Sequence, residues 1–328
     1  MQLPIALERI DATGGAWKKN FKRTWRNYKR WYLGDGPSKR PAYPTCLDAI
    51  ERFMPELAPI YRQVCRWAGE GDLACRFLSL YNPPAYMAGC TQAIWDAPQG
   101  PILVRNYDYA PRWFEGKIFA SDWLRPVIGV SDCAWGLLDG MNDAGLVASL
   151  TFGGNKTVAP GFGIPLLIRY VLETCETVEE AIAAFARVPV HMAYNVSLLD
   201  RCGDRRVLHL KAGGGITRHR HAVCTNHQTK VAWPQYEAIT KTRERQAFAE
   251  AQLVMPHVTQ ASLTGLFLRP PLYQSHFKRA FGTLYTSTWD PNSRLLSLDW
   301  PGTHLTTSFD HFLPQAHLVE IFSSPPHA

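Results

Sequence analysis

Hydrophobic positions recur with two different periods along the chain of 328 residues, and the change falls between residues 85 and 90. Before it, apolar residues are spaced three or four positions apart, which is typical of one face of a helix. The segments with this helical spacing are residues 16–33, 47–67 with an interruption at Pro55, and 72–81. After the Asn82-Pro83-Pro84 break, short apolar runs predict strands instead.

The first predicted strand pair contains a cysteine, an arginine and an aspartate. Ala88-Gly89-Cys90 opens the first run, Gln99-Gly100-Pro101 reverses the chain, and the second run carries Arg105 and Asp108. Because residues on paired strands become neighbours, the hairpin places Arg105 and Asp108 near Cys90. Positive charge favours the thiolate, which is the nucleophilic form of cysteine, so this arrangement predicts a reactive thiol.

The remainder of the chain mixes both periods. Predicted strands cover residues 127–139, 145–151, 193–199, 206–210, 221–224, 282–289 and 295–300, and Gly213-Gly214-Gly215 forms a tight turn. Predicted helices cover residues 162–173, 178–186, 235–254 and 260–268, and Thr177 with Glu180 forms a capping box. Strands, helices, strands, helix and strands in this order predict an α+β domain with layered sheets. The tail after residue 300 shows no clear pattern.

The composition is that of a folded protein, because 46% of the residues are hydrophobic and only 19% are charged. No run approaches the roughly 18 apolar residues of a membrane helix, and the first residues do not resemble a signal peptide. We therefore expect a cytoplasmic protein without a membrane span. The eight cysteines form no CxxC pair, so we expect neither a metal site nor a disulfide framework.

The excess of positive charge, +7 in total, is concentrated in residues 18–40, which contain many basic residues and only one acidic residue, Asp35. The same segment carries an aromatic stripe at helical spacing, formed by Trp17, Phe21, Trp25, Tyr28 and Tyr32. Three interpretations are open: a packed helix with a solvated basic face, a surface for anions or nucleic acid, and a membrane-surface helix. The pattern favours the first, and nucleic acid is not an expected partner.

Seven short motifs occur in the order of one known family. They are Gly89-Cys90-Thr91, Arg105-Asn106-Tyr107-Asp108, residues 140–146, residues 149–154, residues 194–200, Thr225-Asn226-His227, and Thr283-Leu284-Tyr285 with Trp289-Asp290-Pro291. Together they resemble the N-terminal-nucleophile hydrolases of the choloylglycine hydrolase superfamily. The similarity is greatest to the autoproteolytic branch typified by acyl-CoA:6-aminopenicillanic acid acyltransferase.

The resemblance implies a four-layer αββα sandwich and a zymogen that cuts its own chain between Gly89 and Cys90. Residues 1–89 would form a mainly helical segment that stays associated, and residues 90–328 the catalytic fragment. The new α-amine would act as the base, since its reference pKa of about 7.7–8.0 leaves part of it unprotonated near neutral pH. No cofactor is implied.

The resemblance also assigns roles to individual residues. Cys90 would be the nucleophile, Asp108 would orient the α-amine, Arg105 would favour the thiolate and Asn226 would donate to the oxyanion. Asn195 is a second candidate for oxyanion or substrate contact. Thr151 stands where the choloylglycine branch has an asparagine. A backbone N–H would therefore replace the side-chain amide of that asparagine as a hydrogen-bond donor. The family also has a catalytic arginine near the end of the chain, which is expected here within residues 274–279. His276 occupies the aligned position and Arg279 is the nearest arginine. The role of this arginine is therefore left unassigned.

The expected function is a self-processing hydrolase or acyltransferase that acts on linear amide bonds of N-acyl substrates. One alternative is an N-acyltransferase that takes acyl-CoA as a substrate. Another, from a different class, is a catalytically silent binding protein that uses the basic helix of residues 17–40. The expected partners are a small N-acyl amide or thioester and the two self-derived fragments, and the sequence leaves homo-oligomerisation open.

Overall fold

The computed structural model describes residues 1–279 and 281–322. The strands of the first sheet are β1 (Gln2–Ile10), β4 (Lys117–Asp122), β5 (Pro126–Asp132), β6 (Gly136–Asn142), β7 (Val147–Phe152), β8 (Tyr194–Leu199), β9 (Arg205–Leu210), β10 (Ile216–His219) and β16 (Gln315–Glu320). The strands of the second sheet are β2 (Gly89–Ala97), β3 (Gly100–Tyr109), β11 (Val223–Cys224), β12 (Ser275–His276), β13 (Phe281–Asp290), β14 (Leu295–Trp300) and β15 (Thr303–Ser308).

The α-helices of the described chain precede, separate or follow these strands. They are α1 (Gly15–Tyr32), α2 (Tyr43–Phe53), α3 (Ala58–Trp67), α4 (Asp72–Leu78), α5 (Ile164–Thr174), α6 (Val178–Arg187), α7 (Pro234–Thr240), α8 (Thr242–Leu253) and α9 (Gln260–Phe267).

Two sheets face each other and are covered by helices on their outer faces. The first sheet has the order β10-β9-β8-β7-β6-β5-β4-β1-β16, and the second β11-β2-β3-β13-β14-β15, with β12 paired to β13. β2 packs against β7 between the sheets, α5 and α6 pack on the first sheet, and α8 and α9 pack on the second. The predicted α+β class and αββα layering are confirmed by this arrangement.

Strand β1 lies inside the first sheet although the sequence before residue 89 predicted helices only. It runs parallel to β4, with Ala6 opposite Lys117, and antiparallel to β16, with Gln2 opposite Glu320. Leu3, Ile5 and Leu7 alternate toward the core and are buried. The segment before residue 89 is therefore part of the sheet itself.

Helix α1 buries its aromatic stripe and exposes its basic face. Trp17 and Tyr32 are fully buried, the rings of Trp17 and Phe21 stack 5.0 Å apart, and Phe77 of α4 contacts Tyr28 at 5.0 Å. Lys18, Lys19 and Lys22 are exposed. These contacts agree with the interpretation of α1 as a packed helix. The apolar face that a membrane-surface helix would insert into lipid is covered by the rest of the protein. Among the described helices, none combines the length and apolar character needed to cross a bilayer.

The predicted strand over residues 127–139 is wrong, because the chain turns at Cys133 and Ala134. Both residues have positive φ, 53° and 72°, without the glycine or asparagine that usually marks such a turn. Buried partners hold them there: the Cys133 N–H donates to the Tyr28 hydroxyl (2.9 Å) and the Ala134 N–H to Glu115 Oε1 (2.7 Å). The turn is fixed by distant residues, so local sequence did not indicate it.

Other boundaries also differ from the sequence prediction. The single helix expected over residues 235–254 is divided into α7 and α8 at Lys241, which has a φ of 48°. Strands β4, β10, β15 and β16 were not predicted, and the last two lie in the tail that showed no pattern. Most of these strands lie toward the edges of the sheets, and in β15 and β16 most of the less exposed residues are only partly buried.

Candidate active site

Gly89 and Cys90 are the first residues of β2, in the middle of the folded chain. β2 and β3 form the hairpin expected from the sequence, with Gly89 opposite Asp108 and Cys90 opposite Tyr107. Cys90 is fully buried. The predicted nucleophile therefore lies between the layers, in the interior of the folded chain.

The Cys90 thiol contacts a buried arginine. Arg105 Nη2 lies 3.3 Å from Cys90 Sγ, and the same nitrogen donates to the Leu150 carbonyl at 3.1 Å. Burial raises the pKa of the Cys90 thiol, and the positive charge of Arg105 opposes this increase. In the intact chain, burial therefore favours the neutral thiol, while Arg105 is placed to stabilise the thiolate once a base removes the proton.

Asp139 of β6 holds Arg105 from the facing sheet. Its Oδ1 lies 2.9 Å from Arg105 Nη1, and both side chains are fully buried. Asp139 also accepts hydrogen bonds from the side chains of three residues of β13: Tyr285 (2.7 Å), Ser287 (2.5 Å) and Trp289 (3.0 Å). No motif in the sequence marked this aspartate. The available signal was a carboxylate in an otherwise apolar strand, since a buried charge requires partners.

Asp108 lies on the other face of the hairpin and has one unused oxygen. Its Oδ1 accepts a hydrogen bond from the Thr283 hydroxyl at 2.7 Å. Its Oδ2 is buried without a hydrogen-bond donor, and its nearest cation is Arg245 Nη1 at 3.6 Å. Burial raises the pKa of the Asp108 carboxyl, and Arg245 opposes the increase.

Asn226 connects the residues on both sides of the Gly89–Cys90 peptide bond. Its Oδ1 accepts the Cys90 backbone N–H at 2.9 Å, and its Nδ2 donates to the carbonyls of Ala88 (3.2 Å) and Phe152 (3.3 Å). The side-chain amide is therefore fully used in the intact chain. One of its donors is held by the segment that precedes Cys90.

Arg245 of α8 also lies in the cluster, although it was not predicted as a site residue. Its Nη1 donates to the Cys90 carbonyl (2.7 Å) and the Thr91 hydroxyl (2.5 Å), and its Nη2 donates to Asn226 Oδ1 (2.8 Å). The sequence predicted a helix over residues 235–254 without assigning a role to this arginine. The signal that could have found it is its spacing from Thr242 and Ala249, because these three residues form the buried face of α8.

The late arginine was expected instead within residues 274–279. His276 and Arg279 are exposed, whereas Arg245 is fully buried. The arginine that reaches the end of β2 is Arg245, because α8 packs there, and no motif spacing records this packing.

Thr151 and Asn195 face each other across β7 and β8, and neither hydrogen bonds to Cys90. Thr151 Oγ1 lies 3.4 Å from Cys224 Sγ, and Asn195 Nδ2 donates to the carbonyls of Thr225 and His227, each at 2.9 Å. In the described ranges, no three side chains of His, Cys, Asp or Glu are arranged to hold a metal.

A family model described as acyl-coenzyme A:6-aminopenicillanic acid acyl-transferase matches residues 95–304, which is more than half of the chain. The matched range starts after Cys90 and includes Arg105, Asp108, Asn226 and Arg245. No curated protein matches the sequence.

Several solved structures resemble the chain at low identity. Penicillin V acylase from Agrobacterium tumefaciens is 16% identical over 67% of this chain and 86% of its own, with a TM-score of 0.48. A mutant of the conjugated bile acid hydrolase from Clostridium perfringens is 12% identical over 73% and 98%, with a TM-score of 0.48. The Caenorhabditis elegans ortholog of N-acylethanolamine-hydrolyzing acid amidase is 17% identical over 70% and 100%, with a TM-score of 0.46.

Proposed function

Because the chain belongs to the acyl-coenzyme A:6-aminopenicillanic acid acyl-transferase family, we propose that it is a self-processing amide hydrolase or acyltransferase whose nucleophile is Cys90. The substrates would be small N-acyl compounds with a linear amide bond. The observation that carries the proposal is a fully buried cluster of Cys90, Arg105, Asp108 and Asn226 around a Gly–Cys peptide bond.

The processing reaction begins with attack of Cys90 Sγ on the carbonyl carbon of Gly89. A thioester forms, the Gly89–Cys90 C–N bond breaks, and the Cys90 nitrogen receives the thiol proton. Water then hydrolyses the thioester, which leaves a carboxylate on Gly89 and a free thiol and α-amine on Cys90. The fragments are residues 1–89 and 90–328.

The unused oxygen of Asp108 supports this reaction. In the intact chain the Cys90 nitrogen has a single hydrogen, which it donates to Asn226. A free α-amine has additional hydrogens that require acceptors. Asp108 lies opposite Gly89 in the ladder, and its Oδ2 is a buried acceptor without a donor. Scission would therefore supply the missing donor, and Asp108 would orient the amine.

The freed α-amine would then act as the base for substrate turnover. As a free base it takes the proton of its own thiol, directly or through water, and Arg105 at 3.3 Å stabilises the thiolate. The thiolate attacks the substrate carbonyl and forms an acyl-enzyme. Its hydrolysis releases an acid, whereas attack by an amine transfers the acyl group.

Asn226 would provide an oxyanion donor after processing. Its Nδ2 donates to the Ala88 carbonyl in the intact chain, and scission allows Ala88 to move away from Cys90. A donor that becomes available in this way would stabilise the developing oxyanion. One such donor typically lowers the barrier by about 2.7–4 kcal/mol.

The acyltransferase alternative is supported by the family that matches, in which acyl-coenzyme A is named as the acyl donor. Product analysis separates the two activities. The processed protein is incubated with an acyl-CoA and a panel of amines, and with N-acyl amino acids alone. Amide formation from acyl-CoA identifies a transferase, and release of a free amine from the N-acyl compounds identifies a hydrolase.

Mass spectrometry of the purified protein tests the proposal. We expect the wild type to give two fragments with a new terminus at Cys90, and Cys90→Ala to remain one chain of 37.0 kDa. Cys75→Ala is the matched control, because Cys75 is also buried but has no contact with the site. A wild-type chain that stays whole, or a Cys90→Ala chain that is still cut before residue 90, would contradict self-processing. An intact, inactive wild type would favour the silent binding protein.

A further inference from the structure

Four histidines meet where the two sheets end side by side. β10 is the last strand of the first sheet at this edge, and β11 is the last strand of the second. His209 lies on β9, His219 on β10, and His221 and His227 lie before and after β11. The ring centroids of His209 and His219 are 4.1 Å apart, and those of His219 and His221 are 5.1 Å apart. The fold therefore gathers imidazoles from separate parts of the chain.

These rings line a cavity of about 320 Å³, which we call the histidine pocket. His209 is only 8% exposed and is the deepest of the rings, whereas His221 is exposed and lies at the mouth. Cys224, His227 and Gln246 form other parts of the wall. A single buried water needs only about 10–15 Å³, so the histidine pocket has room for a group of several atoms.

The ring nitrogens are the main polar groups that the histidine pocket offers to a ligand. His219 uses one nitrogen, which lies 3.0 Å from Thr217 Oγ1, and His227 uses its Nδ1, which lies 3.0 Å from Thr242 Oγ1. Among the described residues, the rings of His209 and His221 have no hydrogen-bond partner. The histidine pocket therefore contains several nitrogens that no side chain of the protein satisfies.

None of the described side chains that line the histidine pocket is acidic. The nearest carboxylate that a hydrogen bond connects to the wall is Glu250, which accepts from Gln246 Nε2 at 2.9 Å and is exposed to solvent. The imidazoles therefore lack a counter-charge of their own, and any ring that takes up a proton requires an anion from outside the chain.

We propose that the histidine pocket binds the oxyanion of a small molecule, a carboxylate or a phosphate group. Such a group has several acceptor oxygens, and each imidazole can donate a hydrogen bond to it and can take up a proton beside it. A metal ion fits less well, because metal ligands direct their nitrogens at one point. The rings of His219 and His221 instead stack with 13° between their planes.

A row of polar groups connects the histidine pocket with the proposed nucleophile. Cys224 of the pocket wall lies opposite Gln92, which is two residues from Cys90, or about 7 Å along β2. Gln92 Nε2 and Arg105 Nη2 both donate to the Leu150 carbonyl, at 2.8 and 3.1 Å, and Gln92 Oε1 is buried without a partner. The oxyanion is therefore either a charged group of the N-acyl substrate, which rests on the function proposed for Cys90, or a separate small anion.

Binding of an anion should be accompanied by uptake of protons. Burial and the neighbouring imidazoles lower the pKa of His209 to about 4, and burial and His221 lower the pKa of His219. A bound anion opposes these effects, so affinity should increase as pH falls from about 7.5 to 5.5. Burial raises the pKa of Cys224 to about 12, so its thiol stays neutral in this range. The other charged or titratable groups near the wall are His227 and, beside it, Arg243, Arg245, Glu237 and Glu250.

Sulfate is the probe, and dimethyl sulfone is its neutral isostere. Sulfate remains a dianion between about pH 5.5 and 7.5, so any pH dependence of its binding comes from the protein. Each compound is titrated into the full chain, labelled with ¹³C in its histidine rings, while the ring signals are recorded by NMR. We expect sulfate to shift the signals of His209, His219 and His221 in a saturable manner, with higher affinity at the lower pH. Dimethyl sulfone should produce no saturable shift.

A pH titration of the same signals provides an internal control. Saturating sulfate should raise the pKa values of His209, His219 and His221. The pKa of His311 should not change, because its side chain is exposed and does not line the histidine pocket.

Single variants identify the place of binding. His209→Gln removes the deepest ring, and His221→Gln removes the exposed ring at the mouth, where the fold does not depend on it. Each variant should weaken sulfate binding about tenfold, as loss of a hydrogen bond to a charged group usually does. His311→Gln is the matched control. Absence of saturable sulfate binding, equal binding of dimethyl sulfone, or unchanged affinity in both folded variants would overturn the inference.

A turnover assay distinguishes the two sources of the anion. If sulfate raises KM for an N-acyl amino acid but not for the matching N-acyl amine, which lacks the carboxylate, the histidine pocket binds the charged group of the substrate. If neither reaction changes while sulfate is bound, the pocket serves a separate anion. Both results support the oxyanion site. The binding titrations need no turnover, so they decide whether the site exists even if the function proposed for Cys90 fails.

Discussion

Gly89 is constrained by its contact with the Phe281 ring and by its place at the proposed scissile bond. A Cβ at residue 89 would overlap the edge of the Phe281 ring and approach Asp108 Cβ to 3.0 Å. We expect Gly89→Ala to destabilise the fold by about 1–3 kcal/mol, as overpacking usually does. We also expect slower self-cleavage, because the scissile carbonyl shifts. Urea unfolding and the time course of fragment appearance measure the two effects.

Two further variants isolate the contact. Gly265→Ala, in helix α9, is the matched control, because its added Cβ would meet no atom within 4 Å. The Gly265→Ala variant should be as stable as the wild type or slightly more stable. Phe281→Leu combined with Gly89→Ala should recover part of the loss. Equal stability of wild type and Gly89→Ala would show that the ring moves aside at little cost.

At the residue scale, motif order indicated the residues close to the junction and missed those brought in by packing. Cys90, Arg105 and Asp108 lie on one hairpin, so their neighbourhood follows from local pairing. Asp139 and Arg245 reach the cluster from the facing sheet and from a helix on the outer face. Their positions depend on how the layers stack, which no short motif contains.

At the scale of elements, β1 should keep the two proposed fragments together. It forms ladders with β4 and β16, both in the later fragment. We expect residues 1–89 and 90–328 to co-elute in gel filtration after cleavage and to separate only in denaturant. Ile5→Ala, at a side chain 1% exposed, should lower the free energy of unfolding by about 2–5 kcal/mol and weaken this association.

Gln2→Ala is the control for that experiment, since Gln2 lies on the same strand but is exposed. Its unfolding and elution should match those of the wild type. Separation of the wild-type fragments without denaturant would mean that the ladders of β1 contribute little once the chain is cut.

Elements with regular burial were predictable from the sequence, and elements fixed by remote contacts were not. The aromatic stripe of α1 follows a 3.6-residue period. The turn at Cys133 and Ala134 depends on Tyr28 and Glu115, which are distant in sequence. Strand β1 was overlooked because one short alternating run does not distinguish a strand at the start of a chain from a loop.

For the whole molecule, buried titratable groups give opposing contributions to the pH dependence of stability. The pKa of Asp132 is about 7 in the folded protein and 3.8 as a reference, so the folded state binds more protons between these values. Its contribution to stability therefore decreases as pH rises from about 4 to 7, by an upper limit on the order of 4 kcal/mol. Burial lowers the pKa of His191 to about 4, so its contribution increases with pH over about 4 to 6.5.

Comparison of variants separates these two contributions. The melting temperature of Asp132→Asn minus that of the wild type should increase between pH 4 and 7. For His191→Gln the same difference should be greatest near pH 4 and decrease toward pH 6.5. Parallel profiles for wild type and Asp132→Asn would mean that Asp132 titrates near its ordinary pKa.

The pairing of β1 with β16 permits a circular permutation of this protein. The Met1 amino group donates to the Ile321 carbonyl at 2.9 Å, so a short linker can join residue 322 to residue 1. The permuted gene would open at Cys90, preceded only by the initiator methionine, and end at Gly89. Removal of that methionine would leave the proposed nucleophile at the chain terminus without self-cleavage, and the activity of the permuted chain would reveal whether the cut itself, or only the free amine, is required.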